Sequence, residues 1–585
     1  MTTEHKRAGI VFFAICFLFA VIIAHLYRAS AGNVVHVRPN TVVENAKTNT
    51  SSESAQAVAG YMRTVTIAKK RGDIYDCNME SLVKSEGWHK LLIQCGRAES
   101  RASLLEFFTA FTDLDAETCD KYASRRTPVV TNVKAGTDIT ELKRVMPKYV
   151  SIFATDGRST MIGKVSHYLG YTRNDTKTNT VNVLRGVSGV EKIFDEYLSD
   201  CGEISIKYPS DALGAPFLSY NEEVFSMEYY DNKKGVMLTI DKRIQEIAES
   251  VVSEVGLHGA VVVCDVVSGE IRAMVSAPSF EAERVSEYFN AVNGELMNKC
   301  LSAYNLGSVF KIAVAAAALD LDSDLYERKF NCEGYTTVHG QRFACHNKNG
   351  HGVLGMYEAM EKSCNIYFIN LAREIGAEPI IKTAKTMGFG EKICLTEGYY
   401  ADAGYIADKV TLPAAVANLS IGQGDMMVTP LQVAEMINTI GRGGKYRGLS
   451  MVKALVNSDG SVDKYGGELE YKQVIKPETA AKIVKMMTAV IESGSGMLAK
   501  PSSVSAAGKT ASAETGIMRK KEEIKTTEAI DEKEEGTINM TWFAGFFPAD
   551  RPRYSIVVLA EDGESGGKSS APIFKMITDR VVNLK

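Results

Sequence analysis

The feature that most constrains this chain is a set of three short motifs that lie far apart in the sequence and together carry the side chains for one kind of chemistry. They are Ser308-Val309-Phe310-Lys311, Ser363-Cys364-Asn365 and Lys509-Thr510-Ala511. A single motif of this kind recurs by chance in many proteins. Three of them in this order, each in a fitting local context, indicate one site that the fold must bring together.

Ser308 is predicted to be a nucleophile that Lys311 activates. A serine hydroxyl attacks poorly at neutral pH until a base removes its proton, and residues three apart lie on the same face of a helix. The apolar run from Ile312 to Leu319 should partly bury Lys311, which lowers the pKa of a lysine and leaves free base. The same run disfavours the alternative, an exposed lysine on an amphipathic helix.

The second motif supplies two further candidate catalytic side chains. Ser363 could pass a proton between Lys311 and a departing amine, while the Asn365 amide holds a substrate carbonyl. By itself this triplet would be interpreted as the cap of the apolar helix that follows it. Only the presence of the other two motifs favours catalysis.

The third motif lies in a run of small residues, 507–514, that is typical of a strand against which substrate backbone can lie. Lys509 and Thr510 suit recognition of a terminal carboxylate. The main-chain N–H groups of Ser308 and Ser512 are predicted to form an oxyanion hole, where losing one donor costs on the order of 3 kcal/mol in barrier. The predicted substrate contacts are Asn365, Lys509, Thr510, Ala511 and Ser512.

The order of the predicted elements indicates an α+β fold, and 585 residues are enough for two or more domains. The predicted elements are a strand over 236–241, a helix over 242–255, a hairpin of 260–265 with 270–275, helices from 308 to about 440, strands at 505–515 and 542–561, and a helix over 572–582. Strands on both sides of a helical middle indicate one antiparallel sheet that distant segments complete. The Lys- and Glu-rich segment 519–535 is predicted to be a solvated loop.

The N-terminus predicts where the protein resides. Residues 8–27 form an uncharged, mostly apolar run of 20 residues, which is long enough to cross a bilayer as a helix. Lys6 and Arg7 precede it and favour a cytoplasmic tail of residues 1–7. Cleavage at the signal-peptidase-like Ala29-Ser30-Ala31 is the alternative. Residues 28–60, rich in Ser, Thr, Asn and Ala, are predicted to be a linker.

Composition adds two expectations about partners and cofactors. A formal net charge of -4 disfavours a nucleic-acid partner, which usually requires a basic surface. No His-x-x-x-His zinc motif is present, and Gly422-Gln423-Gly424 is too short for a phosphate loop. We therefore predict no cofactor and no metal.

The cysteines leave one question open. Cys332 and Cys345 flank a Gly-rich, hairpin-like stretch and are the best candidates for a disulfide, although spacing alone cannot establish the geometry. The alternative is a metal site completed by His339 or His346. His351, between two glycines, is predicted to make a structural hydrogen bond in a turn rather than to act in catalysis.

Taken together, these motifs resemble those of the class B penicillin-binding proteins, and the resemblance extends over nearly all of the chain. Motifs of this kind, with serine, lysine and asparagine at these spacings, are known from penicillin-binding proteins and serine β-lactamases. Further segments that resemble family signatures are Arg71-Gly72-Asp73-Ile74-Tyr75-Asp76, Gly186-Val187-Ser188-Gly189-Val190-Glu191, Leu238-Thr239-Ile240-Asp241, Gly422-Gln423-Gly424, Thr429-Pro430-Leu431-Gln432 and Trp542-Phe543-Ala544-Gly545.

The resemblance implies a domain plan and an activity. It implies a β-rich pedestal of the dimerisation type over 61–228 and a transpeptidase domain, an antiparallel sheet with helices, over 235–585. The implied enzyme is a single-pass membrane protein whose catalytic domain lies outside the cytoplasm. It cross-links peptidoglycan stem peptides that end in D-Ala-D-Ala and is acylated by β-lactams. The implied partners are a membrane glycan polymerase and other elongation or division proteins.

Four positions depart from the family pattern. Ala511 stands where the third motif usually has glycine, and it places a methyl group where substrate or drug passes closely. Leu306 replaces a common proline, Cys77 an arginine, and Lys299 an arginine. We expect catalysis to be retained, with Ala511 narrowing the substrate range or slowing acylation by β-lactams.

Two other classes of protein remain as alternatives. A β-lactamase or β-lactam sensor shares the serine motifs, but a lactamase needs no pedestal or anchor, and a sensor normally has several membrane spans. A catalytically weak scaffold that regulates a partner glycan polymerase is the non-enzymatic alternative. Retention of all six candidate catalytic side chains disfavours it.

Overall fold

The computed structural model describes residues 62–584, apart from 85–86, 135, 157–158, 161–165, 175–183, 200, 212, 217–225, 229–232, 467–468 and 519–536. The predicted anchor, the linker and the Lys- and Glu-rich loop lie outside the described residues. Among the residues that are described, no helix is both long and apolar enough to cross a bilayer.

A five-stranded antiparallel sheet forms the centre of the C-terminal half. Its strands, in spatial order, are Ile271–Ala277, Gly259–Asp265, Tyr554–Glu561, Thr537–Phe547 and Ala507–Met518. Two strands come from the start of this half and three from its end, because the helical middle of the chain separates them. The prediction of an α+β fold whose sheet is completed by distant segments is therefore confirmed.

The sheet buries both faces by the strict alternation of its side chains. Val261 and Val263 face the helices Lys242–Glu254 and Ala571–Val582. Val262 and its neighbours on the other face pack against the helix Pro430–Gly441. The sheet is thus the middle layer between two layers of helices. The predicted hairpin and both predicted helices that cover the sheet are confirmed within one or two residues.

The C-terminal half also contains further helices and short strands outside the five-stranded sheet. The helices are Met356–Glu361, Asn365–Ile375, Ala377–Thr386, Pro413–Ser420, Pro430–Gly441 and Pro477–Glu492, with short 3-10 turns at Ala282–Tyr288, Gly307–Phe310, Ser323–Glu327 and Met497–Ala499 and a π-helical turn at Gly566–Ser570. The short strands are Phe330–Cys332, Tyr335–Val338, Gln341–Ala344, Gly352–Leu354, Cys394–Thr396, Tyr399–Tyr400, Tyr405–Ile406, Met426–Met427, Lys445–Tyr446, Val452–Val456, Val462–Lys464 and Lys472–Gln473.

The N-terminal part of the described chain combines small antiparallel sheets with short helices. One sheet contains Met62–Lys69, Glu203–Pro209 and Ser226–Glu228, and another contains Val129–Asn132, Gly87–Ile93 and Val150–Asp156. The remaining elements are the helices Arg101–Phe111, Ala116–Ala123, Ile139–Val145, Ser166–Leu169, Gly189–Ile193 and Asp195–Ser199, the 3-10 turn Cys95–Arg97, and the strands Asp73–Tyr75, Val83–Lys84, Ser159–Thr160, Thr172–Asn174 and Leu184–Gly186. The first three helices begin at Ser100, Asp115 and Asp138, whose side chains accept main-chain N–H bonds, as N-caps do.

The two predicted domains share structure across their predicted boundary. The strand Asp73–Tyr75 pairs in parallel with the strand Gly235–Leu238, and Ile74 belongs to the same hydrophobic cluster as the sheet residue Val262. Two family-like motifs of the N-terminal part also meet, because the buried Arg71 guanidinium lies 2.7 Å from Glu191 Oε2. The N-terminal part is therefore joined to the catalytic half through main-chain pairing and apolar packing, and a buried ion pair connects segments within the N-terminal part.

Candidate active site

The turn that carries Ser308 is held in place by close backbone contacts. Ser308 lies in the 3-10 turn Gly307–Phe310, which leads directly into the buried helix Lys311–Leu321. Gly307 has a positive φ of 65°, and a Cβ atom at this position would lie 2.9 Å from the Ser512 carbonyl oxygen. Glycine is thus needed twice, for its conformation and for the close approach of the strand. The structure therefore places Ser308 beside Ser512, the two residues predicted to line the oxyanion hole.

Lys311 is fully buried, which exceeds the partial burial that the sequence predicted. Its ammonium Nζ donates to the Ser363 carbonyl oxygen at 2.8 Å, to Asn365 Oδ1 at 2.7 Å and to Ser363 Oγ at 3.4 Å. Burial lowers the pKa of Lys311 to about 8, because water no longer stabilises the charged form. The structure therefore places a buried amine with a lowered pKa at the predicted position, and the second motif orients it.

The Ser308 hydroxyl itself makes no hydrogen bond to Lys311 among the described residues. The first and second motifs are instead connected through the hydrogen bonds of Lys311. Catalytic hydrogen bonds are often long or misaligned in an enzyme without substrate and tighten when substrate binds.

Ser363 lies between two lysines. Lys509 Nζ donates to Ser363 Oγ at 2.8 Å and to its neighbour's carbonyl, Thr510 O, at 3.0 Å. Burial and the nearby charge of Lys311 together hold the pKa of Lys509 well below its ordinary value. Ser363 also has a positive φ of 54°, an uncommon conformation for a residue other than glycine. The fold therefore holds this hydroxyl in a special backbone conformation between two amines, where it can relay a proton.

Asn365 is engaged at both ends of its amide. Its Oδ1 accepts from Lys311, and its Nδ2 donates to the Ala344 carbonyl oxygen at 3.1 Å. The side chain is therefore anchored between the nucleophile helix and the strand Gln341–Ala344. Its predicted contact with a substrate carbonyl requires Nδ2 to exchange or share the bond to Ala344.

The third motif lies on the strand Ala507–Met518, which is the edge strand of the five-stranded sheet. Thr510 Oγ1 lies 2.9 Å from Ser495 Oγ, and Ser512 is exposed. An edge strand offers unpaired main-chain groups on which an extended peptide can add as a further strand. The strand, the Ser308 turn and Lys509 thus meet in one place, where a peptide could lie with a carbonyl group beside Ser308.

Ala511 is buried within the main hydrophobic cluster of the domain, with 3% of its surface exposed. Its methyl group therefore packs inward beside the Lys509 side chain rather than standing free on the exposed edge. Two of the other departures are also accommodated, because Leu306 is buried and the buried Lys299 forms an ion pair with Glu561.

Two of the further segments that resembled family signatures contact the chain at the Ser308 turn. Gly422 has a φ of 70°, and a Cβ atom there would lie 2.1 Å from the Gly307 carbonyl oxygen. Gly307 N–H donates to Gly422 O at 2.9 Å, and the Trp542 indole N–H donates to Asn305 O at 2.9 Å. These two segments hold the turn that carries Ser308. The close contact with Gly307 accounts for the glycine at 422 without a phosphate-binding role.

A second cluster of reactive side chains lies directly beside the second motif, and sequence reasoning identified only part of it. All ten described cysteines are free thiols, so the structure contains no disulfide between Cys332 and Cys345. Those two cysteines converge instead with His351 and Cys364, and the four ligand atoms lie within 4.8 Å of one another. His346 approaches Cys345 at 3.9 Å, while His339 is not part of the group. The sequence singled out Cys332 and Cys345 as a pair, but it did not identify His351 and Cys364 as their neighbours, because no paired Cys-x-x-Cys spacing marks the set.

Comparison with known proteins agrees with this geometry. Residues 259–579 match the model of the penicillin binding protein transpeptidase domain. The chain is 25% identical to stage V sporulation protein D of Bacillus subtilis over 580 residues, which cover 95% of this chain and 83% of that protein. It is 24% identical to the peptidoglycan D,D-transpeptidase MrdA of Acinetobacter baumannii, with 88% of this chain and 81% of that protein covered.

The fold resembles the penicillin-binding protein PBP2 of Helicobacter pylori, solved in complex with MreC, with a TM-score of 0.67. The two share 20% identity over 89% of this chain and 99% of that one. Since the family model covers more than half of the chain, the chain belongs to the penicillin-binding protein transpeptidase family, and within it to class B. The predicted serine transpeptidase domain is confirmed.

Proposed function

We propose that this protein is a peptidoglycan D,D-transpeptidase of cell-wall synthesis that works through an acyl-enzyme at Ser308. The observation that supports this most strongly is the convergence of the Ser308 turn, two buried lysines and Ser363 at the edge strand of the sheet. Membership of the transpeptidase family supports it, as does the name of the Acinetobacter relative.

In the acylation step, Ser308 Oγ attacks the carbonyl carbon of the peptide bond between the two terminal D-Ala residues. The neutral amine of Lys311 takes the hydroxyl proton as the new C–O bond forms. N–H groups of Ser308 and Ser512 stabilise the tetrahedral oxyanion. The C–N bond then breaks, and the proton passes from Lys311 through the Ser363 hydroxyl to the departing nitrogen, so that free D-Ala leaves.

In the second step, an amine of a neighbouring stem peptide attacks the ester carbonyl. Ser363 and Lys311 carry the amine proton back to Ser308 Oγ as the ester bond breaks. A new amide cross-link forms and the free enzyme is restored. Because proton transfer requires an amine with a pKa near the working pH, the lowered pKa of Lys311, about 8, suits both directions.

Substrate is held by the edge strand and the third motif. The peptide adds alongside Ala507–Met518, while Lys509 and Thr510 bind its terminal carboxylate and Asn365 holds a side-chain or backbone carbonyl. A β-lactam presents a similar amide, which acylates Ser308, but its leaving nitrogen stays tethered to the acyl group. The resulting ester is expected to persist.

The test is labelling of the full-length protein with fluorescent penicillin, followed by mass spectrometry of the labelled peptide. We expect one adduct per chain at Ser308 and none in Ser308→Ala. An unlabelled, folded wild type would support the scaffold alternative, and rapid turnover of a chromogenic cephalosporin would support the β-lactamase alternative. A stable adduct on a different residue would refute the mechanism.

We further propose that residues 8–27 anchor the protein in the cell membrane in a single pass. Residues 1–7 would lie in the cytoplasm, with the linker 28–60, the pedestal 61–228 and the transpeptidase domain 235–585 on the outer side. The hydropathy of 8–27 and the preceding basic residues support this topology. A membrane-impermeant penicillin should label Ser308 in intact cells, and labelling only after lysis would refute the orientation.

We also propose that the pedestal and anchor engage a membrane glycan polymerase and other elongation or division proteins. The support is the match to a PBP2 that was solved together with MreC. Crosslinking through residues of 61–228 in cells should capture these proteins. Capture only through the catalytic half would contradict this assignment.

A further inference from the structure

The cluster of Cys332, Cys345, Cys364 and His351 has the geometry of a tetrahedral metal centre. Cys332 Sγ and Cys345 Sγ each lie 3.6 Å from His351 Nδ1, and Cys345 Sγ lies 4.0 Å from Cys364 Sγ. A tetrahedral zinc ion, with bonds of about 2.3 Å to sulfur and about 2.0 Å to nitrogen, holds two sulfurs ~3.8 Å apart and a sulfur and a nitrogen ~3.5 Å apart. These three distances agree with the expected values within a few tenths of an ångström, and all four ligand atoms lie within 4.8 Å of one another.

The chemical types of the four ligands also indicate which metal would bind. Three thiolates and one imidazole in tetrahedral arrangement are typical of structural zinc sites. All three cysteines are buried and His351 is half-buried, which is how closed structural sites are built. Each thiol gives its proton to solvent when it binds, so one Zn²⁺ with three thiolates and a neutral imidazole carries a net charge of −1.

The segment that supplies three of the donors has little else to stabilise it. Residues 330–354 form two two-stranded ribbons, Phe330–Cys332 with Gly352–Leu354 and Tyr335–Val338 with Gln341–Ala344. Between residues 331 and 353, only Cys332, Gly334, Val338, Phe343 and Cys345 are buried. Ribbons of two strands are marginally stable without packing, and small units of this kind are often stapled by a metal.

The fourth donor connects this ribbon segment to the active site. Cys364 is the central residue of the motif that also contains Ser363 and Asn365. Cys345 directly follows Ala344, whose carbonyl oxygen accepts the Asn365 amide N–H at 3.1 Å. The opposite end of that amide accepts from Lys311 Nζ at 2.7 Å. A bond that fixes Cys345 to Cys364 therefore also fixes the orientation of Asn365 and the position of Lys311.

We propose that Cys332, Cys345, His351 and Cys364 form a structural Zn²⁺ site that fastens the ribbon segment to the Ser363-Cys364-Asn365 turn and so positions Ser363 and Asn365. The four ligands are positioning residues, since none of them touches the reacting atoms. The positioning half of the proposal rests on the proposed transpeptidase function, whereas the metal site does not.

The test begins with zinc content. Full-length protein, purified in detergent without chelator, is dialysed against metal-free buffer and analysed by mass spectrometry for metal. We expect one zinc per chain in the wild type and in Cys300→Ser, a matched control whose buried thiol lies outside the cluster. Cys332→Ser and His351→Ala should bind zinc at least ~10-fold more weakly.

The second measurement is made on the wild type, so that it does not depend on a variant that fails to fold. Removal of zinc with a chelator should slow the labelling of Ser308 by fluorescent penicillin, and zinc added back should restore it. Misplacement of catalytic groups by about 1 Å costs about 100-fold in rate, and we expect a loss approaching that size.

The outcomes separate the claims. Absence of zinc, both as purified and after incubation with ZnCl₂ under reducing conditions, would overturn the site, as would a disulfide between Cys345 and Cys364. Stoichiometric zinc whose removal leaves labelling unchanged would overturn the positioning role. Zinc-loaded protein that penicillin never labels would refute the proposed transpeptidase function while leaving the metal site intact.

Discussion

Two buried clusters of charge in this protein are built on opposite principles. Near the N-terminal motif, the Arg71 guanidinium lies 2.7 Å from both Glu191 Oε2 and Asp195 Oδ1, and it also donates to the Glu191 and Leu184 carbonyl oxygens. In the active site, Lys311 and Lys509 are fully buried and approach the same hydroxyl. Within the described part of the chain, neither lysine has a carboxylate partner.

The difference separates a structural cluster from a functional one. A buried cation whose charge is matched by carboxylates stays charged, and removing it leaves those carboxylates uncompensated. A buried cation without such a partner loses its proton readily, and strongly shifted pKa values of this kind concentrate at catalytic sites. The contrast therefore favours a stabilising role for Arg71 and a functional role for the two buried lysines.

The largest effect is expected from Lys311→Arg. The guanidinium keeps a positive charge but cannot be deprotonated in the working pH range, and loss of a general base typically costs 10²–10⁴-fold, so we expect acylation about 10³-fold slower. The second-order rate constant of labelling with fluorescent penicillin measures it, and exposed Lys500→Arg is the control. Labelling at the wild-type rate would mean that acylation requires a positive charge at position 311 but does not require that side chain to lose a proton.

Arg71→Met should have its effect on stability instead. Removing one partner of a buried ion pair typically costs about 3–5 kcal/mol in the free energy of unfolding. Chemical denaturation measures the change. Arg185→Met is the matched control, because this half-exposed arginine lies 3.4 Å from the same Asp195 and should contribute less than about 1 kcal/mol. Equal effects of the two substitutions would contradict the structural role of Arg71.

Lys311→Met should leave the stability unchanged or raise it. Because the folded-state pKa of Lys311, about 8, lies below its ordinary value of 10.5, the unfolded chain holds more protons between these pH values. Stability of the wild type therefore rises with pH across this window, and any advantage of Lys311→Met is full below pH 8 and shrinks towards pH 10.5. Thermal melts at several pH values measure it. A variant that is clearly less stable than the wild type at pH 7 would argue for a hidden compensating charge.

The acylation rate should follow the same titration. Below about pH 8 the neutral fraction of Lys311 falls tenfold per pH unit, so labelling of Ser308 should slow by a similar factor and level off above pH 8. The titratable groups that face Lys311 are Lys509 and the thiols of Cys345 and Cys364. A rate that stays flat between pH 6 and pH 8 would exclude Lys311 as the base.

The smallest effect is expected from Ala511→Gly. Removing this methyl group beside Lys509 should speed acylation by about tenfold at most, the scale of a single methylene in a binding pocket. The flexible glycine should also lower the stability by roughly 1 kcal/mol. Acylation rates with several β-lactams measure the first effect, and equal rates in both proteins would show that the methyl is neutral.

Much of the candidate site could be predicted because its side chains lie in short sequence motifs. The Ser308–Lys311 spacing, the apolar run after it and the small-residue strand at 507–514 each have a direct physical meaning in sequence. Short motifs could not predict the direction in which each side chain points. The Lys311 amine turns towards Ser363 and Asn365 rather than towards Ser308, and the Ala511 methyl is buried rather than exposed.

The sequence by itself determined the class of reaction and the α+β fold, and it predicted a nucleophile and a desolvated amine, because each depends on residue type and on short-range periodicity. Tertiary structure alone decided which distant residues share an environment. It joined Arg71 to Glu191, set Ser363 between two lysines and gathered three thiols with His351. Contacts between residues as far as 146 positions apart are fixed by packing and not by spacing along the chain.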